Sequence, residues 1–321
     1  MDTIHFSDRK ASVDFYEGRY AHGYMGHWSS SDKGKLLGII KSLGLPAVGN
    51  PLDFGCGRGI FTQVIREALP GWSIYGCDIS SEAIESAKMN SPGITFFVLG
   101  DQNYADKKFD FIHSHHVLEH TYDDKVSAGE ISDYAAGHCM MLHSLPNNHD
   151  GNFEWRLVQM RKNGVDPSTG KFFYEDPAHM RRLNVQQVEA LFSGYHFKLR
   201  KGYFSNQYWG GIKWIAESNF GLVRNISNPF YANSISSFFR LVFWRNLLYF
   251  AWFCFFASSA FSPADKGRYY YLKRVIQSIC FLFFFWLAIP VTIFISSKAE
   301  QEWKEKKEEP SGADMFLVFE R

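Results

Sequence analysis

The sequence predicts an α/β protein: a mostly parallel sheet with helices on both faces, interrupted late in the chain by an apolar helical insertion. Three observations carry this reading. Short apolar runs alternate with amphipathic helical runs between Asn50 and about Arg200. The run "LDFGCGRGIF" sets Gly55, Gly57 and Gly59 directly after a strand and before a helix. The window from Val275 to Ser297 holds no charged residue and is crowded with phenylalanine.

The elements follow in order. Residues 1–48 read as a helical cap, polar and aromatic at first and closing in the amphipathic run "KGKLLGIIKSLG". The strands are "PLDFG", "WSIYGCD", "ITFFVLGD", "FDFIHSH", "HCMMLHSL" and "YHFKLRKGYF". Between them, "GIFTQVIREALP", "SSEAIESAKMN" and "NVQQVEALFSG" read as helices. Near the end, "MFLVF" (Met315–Phe319) has the continuous apolar character of a strand buried on both faces.

Composition narrows the function. Lys plus Arg is 34 and Asp plus Glu is 33, so no global charge draws the chain to nucleic acid, and no nucleic-acid partner is expected. Aromatic residues reach 17%, with 31 Phe, much of this content concentrated after residue 229. Cys56, Cys77, Cys139, Cys254 and Cys280 are odd in number and widely spaced, mostly within apolar runs. They read as reduced thiols of a cytosolic protein. "MDTIHFSDRKASVDFYEGRY" lacks the apolar core of a secretory signal.

The glycine turn lets the backbone bend tightly and approach a ligand. Its G-x-G-x-G spacing differs from the G-x-G-x-x-G of a dinucleotide site, and no G-K-[ST] is present to bind phosphate. Asp53 lies two residues upstream. Asp78 ends the next strand, where a carboxylate can accept two ribose hydroxyls. Asp101 ends the third strand, and "FDFIHSHHVLEH" carries the fourth.

Together these features, from about Leu52 to Phe204, resemble the class I S-adenosylmethionine-dependent methyltransferases, with "LEH" nearest the ubiquinone-biosynthesis O-methyltransferase type. The resemblance implies a Rossmann-like sheet of seven strands, the seventh antiparallel and slotted between strands five and six. It implies S-adenosyl-L-methionine as cofactor. Asp53 and the loop Gly55, Cys56, Gly57 and Gly59 would line its methionine end. Asp78, with Ile79 after it, would hold the ribose; Asp101 and Gln102 would frame the adenine; His115 would offer its backbone carbonyl to the cofactor's amino group. An N-P-P-Y run, the mark of amino-group methylation of DNA or protein, would stand where "HSHH" stands here, which argues against that chemistry.

The histidines His113, His115, His116, His120, His143, His149 and His179 gather where strands should end, the ligand side of such a sheet. A neutral imidazole there can take a proton from a hydroxyl acceptor near pH 7. His116, His120 and His143 are the candidate bases. His113 reads as a satisfied core residue, and His179 as a cap on the acceptor pocket. With no H-x-x-x-H pair and added carboxylate at ligand spacing, no metal is expected.

The apolar insertion then has a topological place. If "ADMFLVFER" is the seventh strand, residues 205–313 are inserted between strands six and seven, and the catalytic domain is 49–204 plus 314–321. Strand six would end, and strand seven begin, on the cofactor side of the sheet, so the insertion would leave from the face where the acceptor enters. As a helix, Val275–Ser297 would extend about 34 Å, enough for a hydrocarbon core of about 30 Å. "NLLYFAWFCFFASSAF" (Asn246–Phe261) is shorter, about 24 Å. The joining turn holds Lys266, Arg268, Lys273 and Arg274, against the positive-inside tendency for two full spans, and Pro290 would interrupt the second helix. The expectation is a monotopic hairpin on the cytoplasmic face of a membrane. The function expected is O-methylation of a lipid or lipid-linked acceptor, quinone-like or glycolipid. Two alternatives stay open. One is a soluble small-molecule O-methyltransferase with the hairpin as a homodimer interface. The other is a non-catalytic cofactor-fold membrane scaffold.

Overall fold

The computed structural model describes residue 4 and residues 6–26, 28–261 and 270–321. In chain order, α1 (Arg9–Ala21) and α2 (Ser30–Ser42) precede the alternating elements β1 (Pro51–Phe54), α3 (Ile60–Ala68), β2 (Tyr75–Asp78), α4 (Ser81–Asn90), β3 (Thr95–Val98), β4 (Phe109–His115), α5 (Asp124–Asp133) and β5 (Ala135–Pro146). Then come α6 (Phe153–Val158), α7 (Val185–Ser193), β6 (Lys198–Ser205), α8 (Trp209–Glu217), α9 (Phe220–Ile226), α10 (Ile235–Ser258), α11 (Tyr270–Lys306) and β7 (Asp314–Glu320).

The seven strands form one sheet in the order β3-β2-β1-β4-β5-β7-β6, with β1 to β5 parallel and β7 antiparallel. Strands buried on both faces are mostly apolar, and the central ones follow: every residue of β1 is buried, Asp53 being its one charged side chain, as are Phe109, Phe111 and Ile112 of β4. The helices between strands are short and amphipathic. In α3, Phe61, Val64 and Ile65 turn inward. The α4 N-terminus is capped by Ser80, and α7 opens with a reciprocal Asn184–Gln187 capping box.

The chain divides into two compact units. The first is Met1–Pro146, Pro177–Gly202 and Met315–Arg321. It includes the N-terminal helices, which the sequence reading set apart as a separate cap. Glu17 of α1 explains their attachment: its carboxylate accepts from the backbone N–H groups of Ser81 and Glu82 and from the Ser80 and Ser81 hydroxyls, at the positive end of α4.

The second unit is Asn147–Asp176 with Tyr203–Asp314. Residues 147–176, placed by the sequence reading in the catalytic domain, therefore group with the insertion. The cause is an apolar core that both segments build: Phe153, Leu157, Val158 and Phe172 bury with Ile212, Ile215, Leu241, Leu248 and Ile295. Glu302, near the end of α11, fixes the start of α8 by accepting from the N–H groups of Tyr208, Trp209 and Gly210.

The two long helices α10 and α11 are each long and apolar enough to cross a membrane. The first is longer than the sequence suggested. It has 24 residues, or about 36 Å, because it begins at Ile235 and takes Arg240 and Arg245 into its own length. The short first segment is thus no longer an argument against a span. Lys266 and Arg268 of the turn lie outside the described residues. All five cysteines are free thiols, four of them buried.

Candidate active site

The site grows out of β1 and the turn after it. In the sheet, Asp53 lies between Gly76 of β2 and His113 of β4. Both of its oxygens are engaged: His113 Nδ1 lies 2.8 Å from Oδ1, and the Thr62 hydroxyl donates to Oδ2 at 2.5 Å. His113 is fully buried in the core with Nδ1 on Asp53, but its Nε2 has no hydrogen-bond partner, so it is only half satisfied. The turn then needs glycine. Gly55 and Gly57 have φ of +73° and +52°. A Cβ on Gly55 would come within 2.4 Å of Val117, and one on Gly57 within 2.9 Å of the Tyr20 hydroxyl. Gly59 instead starts α3 and packs near Phe96 and Ala87, away from the pocket.

A pocket opens over this turn, lined by Asp53, Gly55, Cys56, Gly57, Asp78, Ile79 and His115 among others. Asp78 ends β2 buried, accepting from Gly57 N–H at 2.9 Å and Ser80 N–H at 3.0 Å. Burial pushes its carboxyl up to about 6, against the pull of those two hydrogen bonds. A buried carboxylate facing a cavity in this way is suited to neutral hydroxyl donors. Asp101 and Gln102 are not on the lining. Asp101 turns back to accept from the Asn103 backbone and side chain, capping its own short turn, and Leu99 faces the pocket instead. The backbone of "VLGDQ" bends before the carboxylate reaches the cavity, which the strand pattern does not reveal.

The three candidate bases separate. His116 and His120 line the pocket; His143 does not. His143 is fully buried in the core, its Nδ1 2.7 Å from the Ser114 hydroxyl and its ring stacked on Phe192 at 4.4 Å. Burial pushes its imidazole down to about 3, so it is neutral and closed off. His149 belongs to the second unit, where its Nδ1 accepts from the Gly151 N–H.

His116 is held in an unusual way. Its φ is +53°, a left-handed backbone that non-glycine residues rarely adopt. Its Nδ1 lies 2.7 Å from Glu119 Oε1. Burial alone would push the Glu119 carboxyl up, but the charge and hydrogen bond of His116, with His120 and His179 beyond, hold it down to about 2. An ionised carboxylate only accepts, so Nδ1 of His116 carries a proton, and in the neutral ring the lone pair lies on Nε2. Trp28 stacks on the His116 ring at 5.4 Å. His115, expected to act through its carbonyl, sits in an aromatic nest against Phe61 and Trp28, and burial keeps its imidazole well below the ordinary range.

Sequence reasoning missed the aromatic wall of the pocket: Tyr16, Tyr20, Tyr24 and Trp28. The i, i+4 spacing of the three tyrosines was a legible signal, a stripe on one face of α1 and its extension. Arg58 of the glycine turn fastens that stripe by donating to the Tyr20 and Tyr24 carbonyls. Glu119 was in view within "LEH" but had no assigned role.

The pocket residues fit S-adenosylmethionine: a glycine turn with no room for side chains, a buried acid at the end of β2, and an aromatic wall opposite. Among curated proteins, the chain is 42% identical over 69 residues to malonyl-[acyl-carrier protein] O-methyltransferase 1 of Ilyobacter polytropus, a match covering 20% of this chain and 26% of that one. It is 34% identical over 83 residues to a putative methyltransferase, 235L, of Invertebrate iridescent virus 6, covering 26% and 31%. The chain thus matches between a quarter and a third of the length of these relatives. Among solved structures, it is similar to magnesium protoporphyrin IX methyltransferase of Synechocystis PCC 6803 (16% identity, 61% of this chain and 93% of that one, TM-score 0.44). It is also similar to the plantazolicin methyltransferase BpumL (12% identity, 98% and 95%, TM-score 0.49). A family model described as a methyltransferase domain matches residues 30–201, more than half of the chain. The chain belongs to that methyltransferase-domain family.

Proposed function

We propose that this enzyme O-methylates a lipid or lipid-linked acceptor, a quinone-like ring or a glycolipid sugar, at the surface of a membrane. The observation that carries the reading is the outward apolar surface of α10 and α11. Phe239, Phe243, Leu282, Phe283, Trp286 and Ile293 are each more than half exposed, a density that water does not favour on a free surface. The basic residues Lys273 and Arg274 near the start of α11 favour a monotopic hairpin on the cytoplasmic face over two full spans.

Bound S-adenosylmethionine supplies a methyl group on a positively charged sulfur. The chain's own residues must align the acceptor and receive its proton. His116 is the candidate base. Its Nδ1–H is fixed on Glu119, so Nε2 can take the hydroxyl proton as the acceptor oxygen forms its bond to the methyl carbon. The carbon–sulfur bond breaks with its electron pair staying on sulfur, which becomes a neutral thioether. The tyrosines and Trp28 offer flat apolar surface for a ring.

The test uses two forms of the enzyme. Ser258 and Thr292 lie side by side, their hydroxyl oxygens 3.5 Å apart. Residues 259–291 can therefore be replaced by a short Gly/Ser turn that keeps Leu241, Leu248, Ile295 and Glu302. The full chain, given labelled methyl donor and a host lipid extract, is expected to place label in an organic-phase product and to sediment with membranes. The excised form is expected to bind cofactor equally well, stay soluble and lose that product. Label found only in water-soluble acceptors, or equal lipid methylation by both forms, would overturn the reading.

A further inference from the structure

Glu119, His120 and His179 form a cluster at the edge of the pocket, which His120 lines. One ligand atom from each lies within 4.8 Å of the others, and all three residues are buried. The fold brings them together by a backbone contact: Met180 N–H donates to the Glu119 carbonyl at 2.7 Å and draws the loop carrying His179 against the end of "LEH". His120 and His179 then meet edge to face at 4.4 Å.

Two of the groups, His120 and Glu119, are presented as ligands would be. His120 Nδ1 faces the Ala178 carbonyl at 3.3 Å; a carbonyl only accepts, so the proton is on Nδ1 and Nε2 keeps its lone pair. Metal-binding imidazoles are oriented this way, by a backbone carbonyl on the other ring nitrogen. Glu119 is fully buried; its Oε1 is taken by His116, while Oε2 has no hydrogen-bond partner. A buried carboxylate oxygen left unmatched is costly unless a cation or donor meets it.

We propose that Glu119, His120 and His179 bind a divalent first-row transition ion such as Zn²⁺. Two imidazole nitrogens and one carboxylate oxygen suit that class better than Mg²⁺ or Ca²⁺, which prefer all-oxygen sets. Tetrahedral zinc needs ligand atoms about 3.4 Å apart, so the side chains must close by about 1 Å on binding. His116 would stay in place as the orienting partner of Oε1. Because His120 lines the pocket, an ion held there would border the cavity. An acceptor hydroxyl reaching the ion would lose its proton to His116 more readily. That last role rests on the hydroxyl-acceptor reading above; the binding itself does not.

No ligand-spaced pair is visible in the sequence because His179 arrives from a separate loop. The experiment titrates metal-stripped, untagged enzyme with Zn²⁺ by calorimetry and with Co²⁺ by visible absorption, without methyl donor or acceptor. Expected are one saturable equivalent, Co²⁺ bands of a site with nitrogen and oxygen ligands, and loss of at least about 100-fold in affinity in Glu119→Gln and His179→Ala. His143→Ala is expected to keep the stoichiometry. The wild-type titration decides alone should a variant fail to fold. No saturable equivalent in the wild type, or affinity unchanged in both folded variants, would overturn the proposal and leave the cluster a buried hydrogen-bonded network. Lipid methylation is untouched by that outcome, so the two readings fail separately.

Discussion

Met315–Phe319 and Phe281–Trp286 are both short, uncharged, apolar runs, and they meet opposite fates. In β7, Met315, Phe316, Leu317, Val318 and Phe319 are at most 4% exposed. In α11, Leu282, Phe283 and Trp286 are each more than 60% exposed. Apolar composition does not separate the two; backbone hydrogen bonding does. A strand must find neighbours for its N–H and C=O groups, so β7 is driven between β5 and β6. A helix satisfies its own backbone and can turn its side chains toward an apolar medium. The same contrast orders the consequences of mutation.

The largest effect should follow from cutting the chain after Lys298. This removes all of β7, and with it five buried side chains each worth about 1.5–3 kcal/mol, a total comparable with the whole stability of a domain at about 5–15 kcal/mol. It also removes Glu302 from the start of α8 and leaves β5 and β6 with open edges. Loss of a cooperative thermal transition is expected. A truncated chain that melts cooperatively and binds cofactor would reduce β7 to a tail and erase the contrast.

A smaller effect, of about 10²–10⁴-fold in turnover, is expected for His116→Ala with cofactor affinity preserved. His143→Ala should act in the opposite manner. Its ring fills the core between Ser114 and Phe192, so stability should fall by about 1–3 kcal/mol while folded molecules keep near-normal turnover. Stopped-time assays paired with melting curves separate the two. Equal kinetic losses in both variants would contradict the division between pocket and core histidines.

The smallest effect concerns Asp78. Asp78→Ala should weaken S-adenosylmethionine binding by about 1.5–3 kcal/mol, the scale of hydrogen bonds to a charged group. The pH dependence has a definite sign. Without cofactor, the Asp78 carboxyl is raised from 3.8 to about 6, so its contribution to stability is present below about 3.8 and lost as pH rises through about 6. Bound hydroxyls favour the ionised form, so cofactor affinity should fall as pH drops through about 6. Calorimetry from pH 5 to 8 measures this. A flat profile in the wild type, or the same profile in Asp78→Asn, would remove Asp78 from the ribose position.

The cofactor half of the site was legible because its geometry is local. Gly55, Gly57 and Asp78 sit at strand ends that the short apolar runs locate, and a tight turn with left-handed backbone leaves glycine as the natural residue. Asp101 shows where that legibility stops: its strand was found, but a side-chain hydrogen bond to Asn103 turns the carboxylate away from the pocket. The seven strands, the late apolar insertion and the closing strand were likewise readable, since each is written in continuous stretches of hydrophobicity. Only the tertiary structure decided which histidines face the cavity, because Phe192 and Phe319 close over His143 on β5 while His116 and His120 follow β4 into the pocket wall. It alone assigned 147–176 to the second unit, through the shared burial of Phe153 and Leu157 with Ile215 and Leu248. It alone set His179 against Glu119 and His120, since contacts between distant loops are fixed by backbone hydrogen bonds such as Met180 to Glu119, which leave no periodic trace in a sequence.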